Sequence, residues 1–167
     1  MTLSVHAIAG TAAAIAFRNN PVVALLAAFL SHFALDAIPH WHYRILSKSK
    51  DDSSPFGEKL DFGRSFLKDI FRTGIDFGLG SVVSLAISEV FYPENLWLVF
   101  LATFAGVLPD AIQVLYYRFK NFKPFYWFQW LHEKIHAEKR LDNEQVKGIF
   151  YQIAASVGVI IAIVLLR

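Results

Sequence analysis

Apolar residues in this chain gather into long blocks, and polar residues gather between them. Near-continuous apolar stretches cover residues 2–17, 22–38, 67–91, 96–117 and 146–166. Blocks of about 17–25 apolar residues have the length of membrane-crossing helices. The breaks between them carry turn chemistry. Arg18-Asn-Asn-Pro21 ends the first block and places a proline at the start of the second. Pro39 stops the second, and Tyr92-Pro-Glu-Asn95 separates the third from the fourth. Two longer polar connections remain. Residues 43–66 form a loop centred on Lys48-Ser-Lys-Asp-Asp-Ser-Ser-Pro55. Residues 118–145 are aromatic and basic, and an amphipathic helix at 124–140 with Tyr126, Trp127 and Trp130 is suited to a membrane surface. The pattern predicts an all-α integral membrane bundle of about five transmembrane helices plus one cytoplasmic interfacial helix. It forms a single domain over residues 1–167, without internal repeats.

Composition narrows the chemistry. Hydrophobic residues make up 55% of the chain and their blocks exclude an ordinary soluble domain. With no cysteine, disulfides and thiolate metal sites are excluded, so any metal must rest on imidazole and carboxylate. A net charge of +2 gives no footprint for nucleic acid. The first block lacks a basic leader and carries His6, which predicts a retained helix rather than a cleaved signal. Lys and Arg concentrate in the two long connections, while the short ones offer Arg18 alone. The positive-inside tendency therefore puts the long connections and the N-terminus in the cytoplasm, and the C-terminus outside.

Ionisable residues inside the apolar blocks are the candidate chemistry, because such groups are costly unless they face an ion, a partner or a cavity. His32, Asp36 and His40 recur every four residues at the end of the second block, a spacing that stacks side chains on one helix face. Pro39 is expected to bend that end and re-aim His40. His42, one residue past Trp41, reads as a solvated interfacial residue. Asp69, Arg72 and Asp76 lie in the third block. Asp69 and Arg72 suit an ion pair, Asp76 suits a ligand or a partner of a ligand histidine, and Arg72 suits a phosphate clamp. Asp110 follows Pro109 in the fourth block, as a ligand or as a cap at a kink. His6 adds an imidazole on an alanine-rich helix. On the expected topology nearly all of these fall in the inner leaflet, which predicts one shared site.

His132-Glu-Lys-Ile-His136 matches the spacing by which zinc peptidases hold a metal from one helix face and activate water with the intervening glutamate. In the amphipathic segment the same two histidines could instead fold over the shared site.

The blocks His6-Ala-Ile-Ala-Gly10, Leu30-Ser-His-Phe-Ala-Leu-Asp-Ala-Ile-Pro-His-Trp41, Asp76 and Gly106-Val-Leu-Pro-Asp110 resemble the predicted membrane-bound metal-dependent hydrolases, the YdjM-like inner-membrane proteins. The His-x-x-x-Asp and Gly-x-x-Pro-Asp pieces are also similar to parts of zinc-dependent phospholipases C, in a different order. The resemblance implies a metal site built from His6, His32, Asp36, His40, Asp76 and Asp110. The residues and the resemblance together suggest a phosphoester hydrolase of the inner membrane. It would act on a lipid through zinc or manganese held by those residues with His132 and His136, and Asp36, Asp76 and Arg72 would serve catalysis. An intramembrane zinc peptidase and a non-enzymatic metal or proton carrier are the alternative readings.

Overall fold

Apolar blocks cut by proline- and asparagine-bearing turns fold into helices in the computed structural model, which describes residues 1–137, 141 and 143–165. The elements are α1 (Leu3–Ala16), α2 (Pro21–Asp36), β1 (Lys48–Lys50), β2 (Glu58–Leu60), α3 (Arg64–Phe91), α4 (Leu96–Arg118), α5 (Lys123–Ile135) and α6 (Gln145–Leu165). Local chemistry sets the starts. Asn20 Oδ1 accepts the Val23 N–H at 3.2 Å with Pro21 in the first turn of α2, and Asn95 Oδ1 accepts the Leu98 N–H at 2.9 Å to open α4. The expected extensions of the interfacial helix to Arg140 and of the last block to Leu166 lie outside the described residues.

Three helical stretches among the described residues are long and apolar enough to cross a membrane: α3, α4 with the 3-10 turn before it, and α6. α1 and α2 have 14 and 16 residues. At 1.5 Å per residue they span about 21 and 24 Å, short of a hydrocarbon core of about 30 Å. The five expected apolar helices are therefore present, but only three stretches reach crossing length. The turn at Arg18–Asn20 and the proline at position 39 cut the other two short. The long helices carry outward apolar faces, with Leu67, Phe71, Leu79 and Val82 on α3 and Val146, Phe150 and Ile153 on α6 all exposed. A helix buries its apolar stripe where it can, so exposed stripes on this scale mark a surface made for another apolar phase.

α1 is the hub, packed against α2, α3, α4 and α6. Its small residues make this feasible: Ala7 and Ala14 are fully buried, and the backbones of α1 and α4 touch at two glycines. A Cβ on Gly10 would lie 2.3 Å from the Ala102 carbonyl oxygen, and one on Gly106 would lie 2.6 Å from the His6 carbonyl oxygen. That crossing fixes His6 beside the middle of α4.

The connection expected to be a plain loop contains an antiparallel hairpin, β1 with β2, in the register Lys48 to Leu60 and Lys50 to Glu58. Its three-residue strands carry no strong alternating pattern, so sequence offered little to find them by. Asp69 anchors the approach to it from α3, accepting the backbone N–H of Leu46 at 3.0 Å and of Ser47 at 2.8 Å, and the Ser47 hydroxyl at 2.7 Å.

Candidate metal centre

Eight ionisable side chains from α1, α2, α4, α5 and the segments just past two helix ends meet in one place, with Asp36 at the centre. Asp36 is the last residue of α2 and only 2% exposed. Its two oxygens face different neighbours. Oδ2 lies 3.1 Å from His32 Nε2 and 3.4 Å from His132 Nε2. Oδ1 lies 2.7 Å from the Met1 ammonium, 3.3 Å from His6 Nε2 and 3.5 Å from His40 Nε2.

On the Oδ2 side, His32, Asp36, Asp110 and His132 bring one ligand atom each within 4.8 Å of one another. His32 Nε2 is 3.2 Å from His132 Nε2 and 3.6 Å from Asp110 Oδ1. Four ligands held about 2.0–2.1 Å from a tetrahedral ion stand about 3.3 Å apart, and the measured separations scatter about that value. The proton positions sharpen the point. His32 Nδ1 lies 2.9 Å from the Gly106 carbonyl oxygen, an acceptor, so Nδ1 carries the hydrogen and donates it. A neutral His32 then turns the lone pair of Nε2 towards two carboxylates. Such a cluster of acceptors, fully buried at His32, demands a cation or an added proton. A backbone carbonyl that fixes the tautomer is also the usual support of a metal-binding imidazole. The residues present therefore fit a divalent ion.

Each element contributes for a local reason. The i, i+4 spacing on α2 stacks His32 over Asp36. Pro109 inside α4 has no N–H to give the preceding turn, and beside that gap the Gly106 carbonyl takes the His32 hydrogen bond. Asp110 follows on the same turn, its side chain 32% exposed where that of Asp36 is 3% exposed, so Asp110 is the ligand nearest an opening. His6 is fully buried, stacked on His32 at 3.9 Å between ring centroids, and neither of its ring nitrogens has a hydrogen bond. An imidazole buried this way beside Asp36 is a further donor in reserve.

The Oδ1 side leads to a second group: His40, His42 and His136. His40 lies past the end of α2, so the third member of the four-residue series has left the helix face, as a proline at position 39 requires. His42 is half-buried in this group rather than solvated as its interfacial position suggested; its Nε2 is 2.8 Å from His40 Nε2 and 3.1 Å from His136 Nε2. Burial first and the Met1 ammonium second lower the imidazoles of His40 to about 4 and His42 to about 2, so both are neutral at pH 7.

His132 and His136 do not share a face. α5 ends at Ile135 and His136 sits on extended backbone, with φ −58° and ψ 136°. One imidazole consequently enters the first group and the other the second. Glu133 accepts a hydrogen bond from Gln129 Nε2 at 3.0 Å. The sequence spacing of a zinc peptidase is present, but the helix stops one residue too soon for its geometry.

Asp76 and Arg72 stand outside the convergence. Asp76 Oδ2 accepts the Ser4 N–H at 3.1 Å and so caps the first turn of α1. Arg72 donates to the Arg44 carbonyl, lies 3.3 Å from Asp69 Oδ1 and covers the Tyr43 ring at 5.3 Å. It ties the polar connection to α3.

Two glutamines complete the surroundings and were not singled out from sequence. Gln113 Nε2 donates to Asp110 Oδ1 at 3.0 Å and lies 3.1 Å from His132 Nε2, while the buried Gln129 reaches Gln113 Oε1 at 3.5 Å. Their positions, three residues after Asp110 and three before His132, put them on the ligands' own helix faces. That spacing was the available signal. No family model matches the chain, and no curated protein or solved structure matches it.

Proposed function

We propose that the chain is a membrane-embedded, metal-dependent hydrolase of phosphoesters, acting on a lipid substrate at the cytoplasmic leaflet. The observation that carries this reading is the fully buried His32 ring, with Nδ1 on the Gly106 carbonyl and Nε2 facing Asp36 and Asp110 at tetrahedral-edge distances. His32, Asp36, Asp110 and His132 would hold the ion, zinc by ligand type and manganese as the second choice. When bound, such an ion polarises a phosphoryl oxygen and lowers the pKa of coordinated water towards about 7.

The chain's own groups supply the rest. Asp36, fixed by contacts on both oxygens, holds position. Asp110 sits at the more open edge, where a substrate approaches, with Gln113 orienting its carboxylate. Gln113 also keeps a donor beside His132, where an incoming oxygen could be held. The exposed apolar faces of α3 and α6 support a substrate with acyl tails, and the Lys and Arg residues of the two long connections support an anionic head. The YdjM-like resemblance points the same way. The peptidase alternative is disfavoured by the divergence of His132 and His136, and Glu133 has no part in the proposed reaction.

The test is phosphate or phosphomonoester release from phospholipid in mixed micelles by zinc-loaded protein. Asp36→Asn and His32→Gln are expected to lose activity on the order of 100-fold or more, the scale on which metal sites fail when their support is removed. Full activity in Asp36→Asn refutes the proposal.

A further inference from the structure

We infer that His40, His42 and His136 form a second metal site, with Asp36 shared between the two ions through its separate oxygens. This deepens the reading above and rests on it at one point, the role of Asp36.

The inference begins from hydrogen positions. His40 Nδ1 lies 2.5 Å from the Ile38 carbonyl oxygen, and His136 Nδ1 lies 3.3 Å from the Ala137 carbonyl oxygen. Carbonyls only accept, so each Nδ1 carries a hydrogen, and Nε2 is the nitrogen each ring offers to a ligand. Both of those nitrogens face His42 Nε2, at 2.8 and 3.1 Å. A neutral His42 has at most one hydrogen on Nε2 and can satisfy one of the two. The candidate ligand atoms of the three rings lie within 4.8 Å of one another, with more acceptors facing the point than His42 has hydrogens to give. A cation bound by all three nitrogens would serve them together. Three imidazoles with a carboxylate oxygen in the fourth position suit zinc and its late first-row neighbours.

A second observation is the positive charge that already serves Asp36 Oδ1 and His40 Nε2. The Met1 ammonium lies 2.7 Å from Asp36 Oδ1 and 2.7 Å from His40 Nε2. The space between Asp36 and the three histidines already draws a positive charge. Backbone geometry holds the group together without the first site: the Leu141 N–H donates to the His40 carbonyl at 3.1 Å, and the Ala137 N–H donates to the Asp36 carbonyl at 2.8 Å. These bonds fasten the chain after α5 to the chain after α2, which is why histidines nearly a hundred residues apart share one point.

The two sites differ in chemistry. The first has two carboxylates and two imidazoles. The second is all imidazole apart from its share of Asp36. Two ions bridged by one carboxylate would give a phosphoester two points of attachment.

The experiment is metal content per chain of full-length protein in detergent, loaded with excess zinc and desalted, for wild type, His42→Leu, His136→Gln and His32→Gln. Circular dichroism and gel filtration check the fold of each. The expected result is about two ions in wild type and about one in each variant. Cobalt loading adds a spectroscopic readout: the visible bands of His42→Leu and His32→Gln should differ, since each retains a different site. Wild-type metal content in both His42→Leu and His136→Gln overturns the inference. So does a wild type with one ion that His32→Gln removes, an outcome that leaves the hydrolase reading standing. Unchanged metal in His32→Gln with loss in His42→Leu instead sinks the first site and keeps the second. Because His136 lies beyond the end of α5, its substitution tests the site even where His42→Leu fails to fold.

Discussion

Asp36 concentrates the chemistry of the molecule. A buried carboxylate is costly, and this one is met from all sides by His6, His32, His40, His132 and the Met1 ammonium. Replacing it with asparagine keeps the shape and removes the charge. Zinc retention after desalting should then fall on the order of 100-fold or more in affinity, measured by competition with a chromophoric chelator. Glu133 gives the matching control. It bonds to Gln129 and belongs to neither histidine group, so Glu133→Gln should keep phosphoester hydrolysis within about 2-fold of wild type, well under the 10²–10⁴-fold expected for a general base. A collapse of that activity would put Glu133 into the reaction and contradict the roles assigned here. Residue chemistry was largely legible before the fold was known. His6, His32, Asp36, His40 and Asp110 stand out because charge and imidazole are expensive in apolar helices, and His132 and His136 by their spacing around Glu133. His42, Gln113 and Gln129 did not stand out, because a single polar residue is ordinary until its neighbours are known.

Helices decide which of those residues meet. The crossing of α1 on α4 depends on bare backbone at Gly10 and Gly106. Gly106→Ala would put a methyl group 2.6 Å from the His6 carbonyl oxygen, and forcing the helices apart should cost roughly 1–3 kcal/mol. A lower melting temperature with weakened zinc binding is expected, and an unchanged melting temperature would count against the tight crossing. The hairpin depends on Asp69, whose carboxylate accepts two backbone N–H groups and the Ser47 hydroxyl. Asparagine offers one acceptor oxygen where aspartate has two, at a cost of roughly 1–3 kcal/mol for the donor left over. Asp69→Asn should speed proteolysis of the hairpin while leaving zinc content unaltered; equal loss of zinc would mean the hairpin belongs to the metal centre. Element boundaries were read from turn residues within a few positions. What escaped the reading was where α5 stops. The motif His132-Glu-Lys-Ile-His136 looks helical throughout, yet the chain turns to bond its Ala137 N–H to the Asp36 carbonyl. That long-range bond outweighs local propensity, and it sends the two histidines to different groups. Asp76 misled for a similar reason: its depth in α3 suggested a ligand, while its use is to cap α1.

At the scale of the whole molecule, the candidate metal centre lies at the end of the bundle where α1 begins, α2 ends and α5 folds over. The positive connection at 43–66 and the described part of 118–145 flank the same end; were the charge bias to set orientation, the site would lie in the cytoplasmic leaflet. The chain contains no cysteine, so single-cysteine variants report topology cleanly. Ser53→Cys, on the turn of the hairpin, should react with an impermeant maleimide only after the inner face is exposed. Labelling of intact cells would invert the orientation. The deepest question is whether an ion sits among these side chains at all, and zinc K-edge X-ray absorption of the purified protein answers it. Nitrogen and oxygen neighbours at about 2.0–2.1 Å with the outer-shell pattern of imidazole, lost in Asp36→Asn, are the expected spectrum. A protein that takes up no zinc above the buffer background, or binds it without imidazole, would contradict the metal centre and the hydrolase built on it.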